Sequence, residues 1–136
     1  MVTTLKEVQA LLDQRTQLGP WSSHVMAHAT AEHMSSDGTL LIRLPVTEDI
    51  CNASMNLHGG AIATAIDVFT TLALYLRSQS LSVTIDLHTT CASGAPVGSD
   101  VLFECKVDRL GRSVQFSSCV RRQPFIRLPS MGTSVV

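Results

Sequence analysis

Between Asp49 and Arg77 of this 136-residue chain, Asp67 is the only formal charge. It lies in a stretch where Ile62, Ala65, Ile66, Phe69, Leu72, Ala73 and Leu76 recur at helical spacing. The opposite side carries Ala61, Ala63, Thr64, Thr71 and Leu74, so it is hardly polar either. A helix apolar nearly all round is a buried helix, and the spacing predicts one from about Leu57 to Arg77. A buried carboxylate without a partner is costly. The residues three and four positions away (Ala63, Thr64, Thr70 and Thr71) supply no cation. Asp67 therefore meets hydroxyls or a distant arginine from elsewhere in the fold, lines a wet cleft, or does chemistry as a base or nucleophile.

His58-Gly59-Gly60 opens the same helix. Two glycines let a ligand approach the backbone closely. A helix N-terminus presents unpaired N–H groups with a partial positive charge, which can hold a carbonyl oxygen as negative charge builds on it. The plainer reading of Gly-Gly is a tight entry turn, and of His58 a structural histidine. Gly59 and Asp67 are eight residues apart, roughly 12 Å along a helix. One carbonyl carbon cannot touch both within one subunit. If both serve one site, Asp67 comes from a second copy of the helix running antiparallel, which predicts a two-fold dimer with its sites at the interface.

The rest of the chain must position this helix. Val8, Leu11, Leu12 and Arg15 read as a short amphipathic lead-in helix within residues 1–20, closed at Leu18-Gly19-Pro20. Ser22 to Met34 favours a strand, Ser35-Ser36-Asp37-Gly38 a turn, and Thr39 to Val46 a second strand with Leu40, Ile42 and Leu44 on one face. After a polar connection and the long helix come four strand-like runs: Leu81 to Cys91, Val101 to Val107, Ser113 to Val120 and Ile126 to Val135. Pro129 sends the last of these to a sheet edge. The plan is α+β, one antiparallel sheet wrapped on one long central helix. No repeat or linker splits residues 1–136, so a single domain is expected.

The run Asn52-Ala53-Ser54-Met55-Asn56-Leu57-His58-Gly59-Gly60, continuing to Asp67, resembles the motif of the hot-dog-fold acyl-CoA thioesterases. The nearest branch contains phenylacetyl-CoA thioesterases and the thioesterase superfamily member 2 type. The resemblance extends from about Ser22 to Gly132. It implies a hot-dog fold and hydrolysis of an acyl-CoA or acyl-carrier-protein thioester. Asp67 would then activate or perform the attack, Gly59 N–H would polarise the carbonyl, and Asn52 would position water or thioester. His58 would shape the helix entry and Gly60 would contact substrate. A Ser or Thr early in the next strand would assist Asp67, which points to Thr84, with Ser82 as the rival. The family also pairs dimers into tetramers. The delayed Pro96 and the short hairpin at Arg121-Arg122-Gln123-Pro124-Phe125 depart from the family pattern and bear on substrate choice. A thiolate leaving group of pKa near ~8.5 requires no strong general acid, so an oxyanion site and one base or nucleophile suffice.

The net charge of −1 gives no field to draw in nucleic acid, and no apolar run is expected to reach the ~20 residues of a membrane span. After Asp108 there is no acidic residue, while Arg109, Arg112, Arg121, Arg122 and Arg127 follow. Arg109 and Arg112 are candidates for coenzyme A phosphates or an acidic carrier, against the plainer reading of solvated turn and edge arginines. His24 and His28 would suit a metal only on a helix, so no metal is expected, nor any cofactor. Cys51, Cys91, Cys105 and Cys119 form no C-x-x-C pair. They read as free thiols and small buried hydrophobes. Lys6, Glu7 and Asp13 interrupt the pattern of a secretory signal, so a cytoplasmic or organellar location is expected. Two other classes compete with hydrolysis: a hot-dog hydratase or dehydratase pairing His58 with Asp67, and a non-catalytic acyl-CoA-binding protein.

Overall fold

The computed structural model describes residues 4–16 and 19–122. Helix α1 spans Leu5–Thr16. Its start is a reciprocal cap: Thr4 N–H donates to Glu7 Oε2 at 3.0 Å, and Glu7 N–H to Thr4 Oγ1 at 3.3 Å. Val8 and Leu12 are its fully buried residues. Gln9 faces the first strand, taking the Ala31 N–H at 2.7 Å and donating to the Ala29 carbonyl at 3.3 Å. The helix thereby satisfies backbone groups at a sheet edge.

The segment expected as one strand from Ser22 to Met34 divides. Pro20–Met26 is a helix, α2, and only Thr30–Met34 is strand β1. Proline in the first turn of α2 has its φ pre-set for a helix and lacks an N–H that would be unpaired anyway. Val25 and Met26 anchor α2 in the core. The turn to β2, Leu40–Pro45, is held by Asp37, whose carboxylate accepts from the Ser35 hydroxyl and the Thr39 N–H. Those bonds, the serine first, lower the Asp37 pKa to about 2.

Strands β3, Asp100–Leu110, and β4, Gln115–Arg122, complete an antiparallel sheet of order β1-β2-β3-β4. Leu40, Ile42 and Leu44 pair with Cys105, Phe103 and Val101, and all six are buried. They meet the long helix α3, Gly59–Ser78. Phe69 and Phe103 touch edge to face, with ring centroids 5.3 Å apart. Cys105 and Cys119 oppose each other across β3 and β4. Their contact, with burial, pushes the Cys105 thiol far above its ordinary range, so Cys105 acts as a small apolar filler. Cys91, expected buried, is exposed.

Two further expectations are corrected. First, α3 is long and apolar enough, by length and composition, to cross a membrane. In this fold its apolar face packs on the sheet and its flank carries Asp67. Second, Leu81 to Cys91 forms no strand. A strand needs a neighbour's N–H and C=O groups, and among the described residues none pairs with this segment. A cavity of about 1300 Å³ separates it from β4 over the Ile66, Thr70 and Leu74 side of α3. Leu81 and Val83 are each 86% exposed. The run Ile126 to Val135, and Arg127 within it, lie outside the described residues.

Removing the aromatic contact should be costly. Phe69→Ala is expected to lower unfolding stability by about 3–5 kcal/mol, read as a shifted urea midpoint at unchanged m-value.

Candidate active site

The loop before α3 fixes where the helix begins. His58 N–H donates to the Ile50 carbonyl at 2.9 Å, Leu57 N–H to Ala95 at 2.7 Å, and Val97 N–H to Met55 at 2.9 Å. His58 is extended and acts as N-cap, with its Nδ1 accepting the Gly60 N–H at 2.8 Å. Gly60 N–H is therefore engaged, so Gly60 has no free amide to offer a substrate. Gly59 N–H, the first of the helix, has no acceptor among the described residues. A Cβ at Gly59 would meet nothing within 4 Å, whereas one at Gly60 would meet the His58 ring at 3.0 Å. The open amide is the one at Gly59.

Asn52 sits at the base of this loop. Its Oδ1 accepts the N–H groups of Ser54 at 3.0 Å and Asn56 at 3.2 Å. The carbonyl thus shapes the loop, and the side-chain NH₂ remains to donate.

Asp67 is half-buried on the flank of α3. The Thr84 hydroxyl donates to its Oδ1, while Ser82 only lines the same space. Both belong to a cavity of about 360 Å³ walled by Thr71, Val83 and, from α2, Ser22. Ser22 went unrecognised in the sequence because its segment alternates well enough to pass for a strand. The helix-breaking Gly19 followed by Pro20 was the available signal.

The arginines stand apart. Arg109 pairs with Phe116 beyond a bulge at the end of β3, and Arg112 is exposed in the following turn. Pro96, just before β3, bridges Asn56 in the α3 entry loop, whereas Arg109 stands about 30 Å along β3 from its first residue, Asp100. Arg121 donates to the carbonyl and hydroxyl of Ser93, and Arg122 pairs with Glu104 at 3.1 Å. Within one subunit the structure does not bring Arg109 or Arg112 to Gly59. His24 pairs with Asp49 at 3.0 Å.

Residues 55–122, half the chain, match the sequence pattern described as the thioesterase superfamily. A Schizosaccharomyces pombe protein named as an esterase is 33% identical over 108 residues, 72% of this chain and 67% of the relative. Human acyl-coenzyme A thioesterase 13 is 31% identical over 85 residues, 62% of this chain, and the match spans only 61% of that relative. The crystal structure of zebra fish thioesterase superfamily member 2 superposes with a TM-score of 0.81 at 23% identity, covering 90% of this chain and 88% of that one.

The cap can be tested apart from any reaction. His58→Ala should destabilise the protein by about 1 kcal/mol, while His58→Asn, which can still accept the Gly60 N–H, should recover most of it. Equal urea midpoints for wild type and His58→Ala would remove the capping role.

Proposed function

Because this chain belongs to the thioesterase superfamily, we propose that it hydrolyses an acyl thioester of coenzyme A or of an acyl carrier protein, with Asp67 as the base. The observation that carries this reading is the Thr84–Asp67 hydrogen bond at the wall of an open cavity. Thr84 donates to Oδ1 and so fixes the direction of the carboxylate. Oδ2 has no partner among the described residues and is left to take a proton from water. That water attacks the carbonyl carbon. The oxygen of the tetrahedral intermediate gathers charge against a Gly59 N–H, and the C–S bond then breaks. The departing thiolate takes a proton from Asp67 or from solvent. Asn52 donates from its side-chain NH₂ to the water or the thioester oxygen.

The roughly 12 Å between Gly59 and Asp67 on one helix assigns the two halves to different subunits in this mechanism. Support comes from the uncovered apolar row next to Thr84: Leu81 and Val83 at 86% exposure and Ile85 at 78%. A second copy would cover it. Arg109 and Arg112, far from their own Gly59, could meet substrate phosphates only in such an assembly.

The hydratase alternative pairs His58 with Asp67 as acid and base. His58 Nδ1 is occupied by the cap and one ring nitrogen suffices for acid–base work, so the product decides: free thiol from an enoyl-CoA means hydrolysis, a hydroxyacyl thioester hydration.

Asp67→Asn should lower thiol release from a panel of acyl-CoA and carrier-bound thioesters by at least about 100-fold. A variant as fast as wild type would exclude Asp67 as the base. For the assembly, wild type should sediment as a dimer or a multiple of it. Ile85→Lys should give a folded monomer, by circular dichroism, with thiol release lost. A fully active monomer would overturn the shared site.

A further inference from the structure

Gly59 and Gly60 leave the first two positions of α3 without side chains, so packing at those positions cannot hold the backbone whose amide the mechanism uses. Both polar groups of Gly60 are instead held by side chains. His58 Nδ1 takes its N–H. Its carbonyl accepts the Thr64 hydroxyl at 2.8 Å, and Thr64 Oγ1 in turn accepts the Trp21 indole N–H at 2.7 Å. A threonine hydroxyl has one proton and two lone pairs. With the indole on a lone pair, the proton is left to be aimed at Gly60.

Trp21 is the only tryptophan in the chain, and it is 54% exposed. Burial of its ring does not account for its position, since the engaged part is its polar end. Its placement is well defined all the same. Pro20 starts α2, Val25 and Met26 bury the other end, and α2 lies against the α3 flank that carries Thr64 and Asp67.

We propose that Trp21 is a positioning residue for thioester hydrolysis, acting through Thr64 to hold the Gly60 carbonyl and so the direction of the neighbouring Gly59 amide. The inference rests on the thioesterase reading. It assigns α2 a task beyond walling the cavity, and it links α2 through two hydrogen bonds to Gly60, the residue next to the oxyanion donor. The oxyanion forms only as the carbonyl is attacked, so loosening its donor should act on kcat rather than on KM.

Trp21→Phe keeps a ring and removes the N–H. It should lower kcat about fivefold with KM unchanged, the size expected for loss of one hydrogen bond. Thr64→Val should do the same, Thr64→Ser should stay near wild type, and the double variant Trp21→Phe/Thr64→Val should be no slower than either single one. Independently of turnover, amide exchange at Gly60 and Ala61, followed by NMR without substrate, should quicken in Trp21→Phe. A lowered thermal midpoint with unchanged kcat, a raised KM at constant kcat, or additive losses would overturn the proposal. Unchanged exchange at Gly60 and Ala61 would also overturn it. A wild-type protein that releases no thiol would strike the hydrolysis reading instead, and the exchange measurement would still decide whether the tether exists.

Discussion

One helix has to serve as both the core and the site, and most features of this structure answer to that constraint. The sheet takes the face of α3 bearing Ala61, Ala65, Phe69, Leu72 and Ala73, all fully buried. Gly60, Thr64, Asp67 and Thr71 follow each other at three- and four-residue steps on another flank. Beyond the His58 cap at its start, that flank meets α2 and the extended stretch around Thr84 among the described residues. The lighter cover gives a carboxylate on a core helix both a hydroxyl partner and an open cavity. Without it, Asp67 would carry the full penalty of a buried, unpaired charge.

The helix and its lone charge were legible because they rest on local signals. The predicted span from Leu57 to Arg77 and the observed Gly59–Ser78 differ by two residues at the start and one at the end. Alternation at Leu40, Ile42 and Leu44 marked the buried face of β2, and Val101, Phe103 and Cys105 that of β3. Thr84 was reachable only through family resemblance, since the residue that meets Asp67 lies 17 positions along the chain. Nothing in composition or periodicity singles it out from Ser82.

The misread segments show where local pattern stops deciding. Ser22 to Met34 alternates passably, yet Gly19 and Pro20 set up a helical start before the strand can begin. The stretch from Leu81 alternates better than any other and forms no strand among the described residues. Alternation records which face seeks cover, but hydrogen-bonded neighbours are what make a strand, and those are a tertiary fact. The arginines after Asp108 read as one cluster in sequence. In space the four described ones divide between the far end of β3 with its turn and partners at Ser93 and Glu104.

Counting polar groups around the helix entry sharpens what a ligand must bring. His58, Thr64 and Asn52 each direct a side-chain atom to backbone near the Gly-Gly turn. The Gly59 N–H, the Asn52 NH₂ and the second Asp67 oxygen have no partner among the described residues. Two donors at one end of the helix and an acceptor in its middle complement a carbonyl oxygen and a water proton, the pair that thioester hydrolysis brings together. Within one subunit these leftovers lie too far apart to meet on a single carbon. In the proposed dimer, with α3 antiparallel to its copy, the donors of one helix would face the acceptor of the other, and the spacing that rules out a one-chain site would yield two equivalent sites across a two-fold axis.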